Sequence, residues 1–305
     1  MDVKLCEYMV AIADEGSIAA AAQKLYLTQS ALNQQLLRLE KELGAPLFNR
    51  TRSHWTLTPV GETYVHGARQ VLTIQKDTYA HISDLAERWG QTVTIGLTNE
   101  RGVQMFTSIY TDLHQRYPRT VFQPVEATVD QQNRLLERGQ LDIGFQTIGA
   151  HKYKTFHYEP IMTEPFILCV PKGQAGGLPE EPGPDGYPEV ALADFRDRVF
   201  TLVKPSSTMR EMINRLFAEA GFQPRLLFDS IGMRAMQKLA ANGQCCCIIP
   251  RFYAIPSPDV RYFTLKPPVY WELCAVWEEG SYQSRAVRDV VSAATNYWRT
   301  HSYVE

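Results

Sequence analysis

Residues 15–61 read EGSIAAAAQKLYLTQSALNQQLLRLEKELGAPLFNRTRSHWTLTPVG, and this stretch decides the fold of the first part of the chain. Ser17, ahead of IAAAAQKL, is a good helix N-cap, because its hydroxyl accepts from a backbone N–H that the first turn leaves without a partner. Tyr26-Leu27 interrupts that helix, and Thr28 caps a second one, QSALNQQLLRLEKEL, which Gly44 closes. In the second helix Leu32, Leu36, Leu39 and Leu43 fall on one stripe, whereas Ser30, Asn33, Gln34 and Arg38 point elsewhere. The alanines at 19–22 let the two helices approach closely where they cross. Upstream, Leu5, Tyr8, Met9 and Ile12 recur at helical spacing until Gly16 breaks the run. Downstream, Leu47-Phe48 plugs the core and RTRSHW forms an exposed loop between strand-like ends.

Short helices joined by a tight turn suit a reader of duplex DNA, which presents base-contacting side chains near the start of its second helix. Here that end carries Thr28, Gln29, Ser30, Asn33 and Gln34. Gln and Asn pair bidentately with adenine, whereas Arg prefers guanine. Phosphate contacts call for cations or amides, and Lys24, Arg38, Arg50 and Arg52, with Thr51 in the same loop, are the candidates. Residues 23–56 hold five cations (Lys24, Arg38, Lys41, Arg50, Arg52) against Glu40 and Glu42, a local excess of three on a chain whose net charge is −2. A solvated Gln/Asn-rich helix face has the same composition, so the pattern alone leaves both readings open.

Outward from this stretch, residues 58–90 form one long helical candidate, with Thr58 as cap, Pro59 at the first helical position and Gly90 at the end. Val65, Ala68, Leu72, Gln75, Tyr79, Ile82, Ala86 and Trp89 alternate three and four apart, the period of a coiled-coil seam. That seam predicts a dimerising linker. After Gly90 the pattern becomes alternating strands and helices: QTVTIGL, GVQMFTSIYTDLHQRY, VFQPVEA, VDQQNRLLERG, LDIGFQT and FILCVP, then a Pro/Gly-rich loop over 171–193. VFTLV, SSTMREMINRLFAEAG, RLLFD, IGMRAMQKLAANG, CCCIIP, ELCAVW and RAVRDVVSAATNYW repeat the alternation. Such alternation predicts mostly parallel sheets with helices on their faces. The expected organisation is an all-α winged helix-turn-helix at 1–58, a linker helix at 59–90 and an α/β domain at 91–305. The α/β domain divides into subdomain I (about 91–164 and 268–305) and subdomain II (about 165–267), with a cleft between them.

A chain of 305 residues with 45% hydrophobic and 21% charged content buries its own core and is no disordered tail or small disulfide scaffold. No apolar run approaches a membrane span, and MDVKLCEYMV lacks a signal-peptide core, so a cytoplasmic location is expected. The six cysteines show no paired C-x-x-C spacing, the histidines show no ligand spacing, and no cofactor or metal is expected. Neither a nucleophile elbow nor a phosphate-binding glycine loop is present, which leaves an enzyme reading without a reactive group.

The pieces EGS, AA-x-x-L, TQSALNQQ, RLEKELG, LF-x-R and LT-x-x-G, in that order, resemble the winged helix-turn-helix of LysR-type transcriptional regulators. The resemblance continues through FILCVP, SSTMR, EAGFQP and AANGQCCCIIP and covers nearly the whole length. It implies a bacterial transcription regulator that binds double-stranded DNA as a homodimer, often a homotetramer. It also implies an effector domain of two Rossmann-like subdomains, as in periplasmic binding proteins. Ser30, Asn33, Gln34 and Leu37 depart from the family's usual residues. With fewer cations there, Arg50 and Arg52 of the wing are expected to carry much of the phosphate anchoring.

A cleft between α/β subdomains gathers strand ends and helix starts. Ser206, Ser207 and Thr208 stand at a helix start that favours an anion. Thr98 and Asn99 follow one strand, Gln146 and Thr147 end another, and all match positions where family members contact effectors. A small carboxylate or similar anion is the expected ligand. Cys245-Cys246-Cys247 lies in an apolar run, where cysteine acts as a small hydrophobe. Successive strand side chains face opposite ways, so the three cannot jointly chelate one ion.

Overall fold

The computed structural model describes residues 1–51, 54–86, 90–98, 100–148, 152–230 and 232–301. It resolves into two compact units, the first built mainly from residues 1–91 and the second from most of the remainder.

In the first unit α1 (Val3–Glu15) is capped by Asp2, α2 (Ile18–Lys24) by Ser17 and α3 (Gln29–Leu43) by Thr28, whose Oγ1 accepts from the Ala31 N–H at 3.2 Å. Tyr26, at φ +55° and 96% exposed, makes the turn between α2 and α3. Strands β1 (Phe48–Arg50) and β2 (Trp55–Leu57) pair antiparallel, Phe48 opposite Leu57 and Arg50 opposite Trp55. Met9, Ile12, Ala21, Leu32, Leu36, Leu47 and Phe48 form the core. Each fully buried aliphatic side chain there stabilises by roughly 1.5–3 kcal/mol. Leu43, expected on the buried stripe, is instead 44% exposed, because the last turn of α3 runs past the core. The wing is pinned to the α1–α2 turn: Trp55 N–H donates to the Gly16 carbonyl at 2.8 Å, and the His54 ring occupies the space a Gly16 Cβ would need. With φ at +58° as well, Gly16 admits no larger residue.

Helix α4 (Pro59–Ala86) starts where Thr58 Oγ1 accepts from the Gly61 N–H at 3.0 Å and donates to the Pro46 carbonyl at 2.7 Å. Its expected seam splits in two. Val65 and Ala68 are buried in the first unit's own core, with Leu72 packed against it. Tyr79 and Ile82, joined by Ile74 and Leu85, which the seam omitted, stand exposed. Trp89 lies outside the described residues.

The second unit carries β3 (Thr92–Leu97), α5 (Arg101–Arg116), β4 (Val121–Glu126), α6 (Val129–Glu137), β5 (Ile143–Ile148), β6 (Phe156–Pro171), β7 (Glu189–Val190) and β8 (Val199–Val203). It continues with α7 (Thr208–Glu219), β9 (Arg225–Ser230), α8 (Met233–Ala241), β10 (Cys247–Pro250), β11 (Val260–Leu265), β12 (Tyr270–Glu278) and α9 (Arg285–His301). Strands β4, β3 and β5 run parallel, as do β8 and β9. The expectation of mostly parallel sheets fails elsewhere: β12 is antiparallel to β5 and β6, and β10 and β11 are antiparallel to β6. The cause is β6, sixteen residues long where only FILCVP reads as a strand. Its first part pairs with β12 and its second with β10 and β11, so one strand serves both halves and its neighbours must run against it. Pro124 is tolerated because β4 is an edge strand. One core gathers Val93, Ile95, Met105, Phe145, Val290 and Trp298, and another Phe166, Phe200, Ile213, Phe217, Ile249 and Phe263.

Candidate functional site

In the first unit, the start of α3 presents an exposed polar face. Thr28, Gln29, Ser30, Gln34 and Arg38 are exposed and Asn33 is half-buried, while Leu32 and Leu36 on the opposite stripe are fully buried. The Thr28 cap, with the Thr28 and Ser30 hydroxyls 3.2 Å apart, fixes the first turn, and the amide side chains of Gln29 and Gln34 make no hydrogen bond among the described residues. Beside this face the wing is held by its own bonds. Thr51 Oγ1 donates to the His54 carbonyl and accepts from its N–H, which employs that hydroxyl in the turn. Arg50 pairs with Glu40 of α3 and lies 5.3 Å over the Trp55 ring, and Lys24 pairs with Glu15 at 2.6 Å. The expected phosphate anchors are therefore unequal: Lys24 and Arg50 have acidic partners within the unit, whereas Arg38 has no ion pair among the described residues. Arg52 lies outside the described residues.

The second unit holds a cavity of about 460 Å3. Thr98, Glu100 and Arg101 line it from the β3–α5 junction, Glu126 to Gln131 from the β4–α6 junction, and Thr147 from β5. Val203, Lys204 and Ser206 to Met209 line it from the β8–α7 junction, with Gly232, Met233, Tyr253 and Trp271 completing the wall. Parallel strands end here and helices begin, the arrangement in which such folds hold ligands. Helix α6 is capped reciprocally, Thr128 N–H to Gln131 Oε1 at 2.9 Å and Gln131 N–H to Thr128 Oγ1 at 3.3 Å. Helices α7 and α8 differ. The Ser207 side chain makes no capping bond at α7, and α8 starts at Gly232, which has no side chain to offer one. The first N–H groups and positive dipole end of α7 are suited to an anionic group, whereas the Glu100 carboxylate already lies beside the start of α8.

Of the expected effector residues, Thr98, Thr147, Ser206, Ser207 and Thr208 line this cavity. Thr147 and Thr208 hydroxyls lie 3.4 Å apart, closing it on one side. Gln146 does not line it. Buried and donating to Asn133 Oδ1 at 2.9 Å, it borders a separate cavity of about 100 Å3. Asn99 lies outside the described residues.

Sequence reasoning missed the groups behind the cavity wall. Arg101 and Glu164 are each 2% exposed and form an ion pair. Glu164 also accepts from Trp271 Nε1 at 2.7 Å and from the Phe252 N–H at 2.8 Å. The Arg101 guanidinium stands 4.8 to 5.3 Å from the ring centres of Phe252, Tyr253, Trp271 and Trp298. Its Nε and Nη1 have no acceptor. Burial pushes the neighbouring Tyr253 hydroxyl up to about 12, so it remains a donor at neutral pH. The charged letter after a strand exit, in T-N-E-R, was the one available signal.

The cysteines are all buried. Cys247 faces Cys169 across β10 and β6. A hydrogen bond with Cys169, then burial, raises the Cys247 thiol, and burial pushes Cys245 up to about 11 and Cys246 to about 12. Reactive thiols have the opposite shift. Among the described residues no group of His, Cys, Asp or Glu is arranged to hold a metal ion, and no helix is long and apolar enough to cross a membrane.

A helix-turn-helix with a wing and a ligand-sized cleft define a ligand-responsive DNA-binding protein, and the comparisons specify which. Residues 3–62 match the bacterial regulatory helix-turn-helix protein, lysR family, and residues 86–299 match the LysR substrate binding domain. The chain belongs to the LysR family of bacterial DNA-binding transcriptional regulators, whose members are not enzymes. It is 27% identical over 295 residues to YcgK of Bacillus subtilis (strain 168), a transcriptional regulator, covering 93% of this chain and 91% of YcgK. With the dual regulator OxyR of Escherichia coli (strain K12) it shares 26% identity, covering 86% of this chain and 82% of OxyR. Full-length OxyR from Pseudomonas aeruginosa has the same fold at a TM-score of 0.71 and 20% identity, covering 97% of this chain and 98% of that one. Full-length CbnR, solved with its target DNA, superposes at a TM-score of 0.56 and 20% identity, covering 97% of this chain and all of CbnR.

Proposed function

We propose that this regulator reads its operator through α3 and changes its hold on DNA when a small molecule carrying an anionic group enters the cleft of the second unit. The observation that carries the first half is the start of α3: a fixed first turn, a buried leucine stripe behind it, and Gln29, Ser30, Asn33 and Gln34 at the open end. In this reading Gln29, Asn33 and Gln34 contact base edges. Thr28, Ser30, Arg38, Arg50, Thr51 and Arg52 contact or position the phosphates. Thr98, Thr147, Ser206, Ser207 and Thr208 contact the effector, with the anionic group at the start of α7 beside Lys204 and Asn99 next to Thr98; Gln146, bound to Asn133, is left out of this set.

The working boundaries are 1–58 for DNA binding, 59–90 for the linker and 91–305 for effector binding. Ile74, Tyr79, Ile82 and Leu85, exposed on α4, support a homodimer through the linker helix, assembling further into a homotetramer in the cytoplasm. A footprint across the chain's own promoter tests the DNA reading. Protection of an interrupted palindrome, lost in Gln34→Ala, is the expected result, and absence of any protected site overturns it. Ligand-dependent change in that footprint tests the second half.

A further inference from the structure

The cavity of the second unit is electrically two-sided. On the wall formed by the β8–α7 junction stand Lys204 and the N-terminus of α7, where the Ser207 side chain makes no capping bond. On the wall formed by the β4–α6 junction stand Glu126 and Asp130, while Glu100 lies beside Gly232 at the α8 start. Among the described residues the side chains of Glu126, Asp130 and Lys204 make no hydrogen bond or ion pair, so their charges are not consumed there. The remaining cation on the wall, Arg101, is already neutralised by Glu164. A simple carboxylate docked at the α7 start would satisfy one wall and face uncompensated carboxylates on the other. Like charges so placed discriminate against dianions and simple acids.

We propose that the effector is a zwitterion of the α-amino acid class, its carboxylate at the start of α7 beside Lys204 and its ammonium between Glu126 and Asp130. The proposal rests on the effector-cleft reading above. Met209, Met233, Trp271 and the ring of Tyr253 leave an apolar region for the side chain, and about 460 Å3 accommodates even an aromatic one. The ammonium supplies charged donors that the two carboxylates lack. Loss of such a hydrogen bond weakens binding by about tenfold or more.

The test is a thermal-shift and calorimetric screen on the full-length protein. The proteinogenic amino acids are compared with matched probes, such as leucine against 4-methylpentanoate and 3-methylbutylamine, and phenylalanine against 3-phenylpropanoate and 2-phenylethylamine. At least one amino acid is expected to bind about tenfold or more tightly than its des-amino and decarboxylated counterparts. The double variant Glu126→Gln, Asp130→Asn, whose ligand-free melting checks its fold, should erase that preference while still binding the des-amino acid. Lys204→Met should weaken both. If no amino acid binds, or if the des-amino acids bind as tightly, the zwitterion is overturned. Des-amino binding that Lys204→Met weakens would leave the cleft as an effector site for anions. Binding that ignores every cleft variant would overturn the cleft reading itself.

Discussion

The starts of α3 and α7 are both rich in hydroxyls, T-Q-S at 28–30 and S-S-T at 206–208, yet they are built differently. At α3 the Thr28 hydroxyl is spent on its own helix, so the first turn is rigid and the amide side chains behind it point outward. At α7 the Ser207 hydroxyl makes no such bond, and the helix start opens on a cavity. Hydroxyl-rich helix starts are alike as sequence. Whether the hydroxyl turns inward as a cap or stays available for a ligand decides between a surface that reads another molecule's edges and one that encloses a small molecule.

The largest effect expected belongs to the cavity side. Arg101→Met leaves Glu164 buried without its cation and should cost about 3–5 kcal/mol, read as a lower denaturation midpoint. The exposed face of α3 has no comparable group, so an unchanged midpoint would erase the contrast between a buried electrostatic wall and a solvated reading face. Next in size, Gln34→Ala should lose about 1–3 kcal/mol of operator affinity with little change in affinity for unrelated DNA, measured by titration against both. Thr28→Ala should destabilise by about 1 kcal/mol through loss of the cap, whereas Ser207→Ala should stay within about 0.5 kcal/mol in the ligand-free protein. Equal costs at the two positions would break the comparison directly.

Smaller still is the salt dependence. Arg38→Ala should reduce the slope of log affinity against log salt by about one unit, and Arg50→Ala by less, because Glu40 already engages Arg50. Finally, Cys245 and Cys246 should resist alkylation at pH 8 until the protein unfolds. Their thiols are raised from an ordinary value near 9.0 to about 11 and about 12 by burial. Their contribution to stability is accordingly full below pH 9.0 and lost as pH rises through the 11–12 range, which denaturation midpoints across alkaline pH would register.

The helix-turn-helix was legible because its signals are local: Ser17 and Thr28 as caps, Gly16 and Gly44 as stops, leucines at helical spacing between them. The cleft hydroxyls at 98, 147 and 206–208 were legible for the same reason, each following a recognisable strand. What failed was long-range. Arg101 finds Glu164, Phe252, Trp271 and Trp298 far along the chain, and no spacing rule connects them. FHYEPIMTE gives no strand signal because Pro160 and the charges around it hide a strand that only β12 completes. The α4 seam divides because one helix stripe serves the core at Val65 and stands exposed at Ile82, and period alone does not mark where the partner changes.

Strand β6 runs unbroken through both sheets, with Glu164 and Pro165 where its pairing passes from one set of neighbours to the other. Glu164 stands at that handover, so the Arg101 guanidinium and its ring of aromatics bridge the two sets of neighbours, and the cost of Arg101→Met should fall on both ladders together.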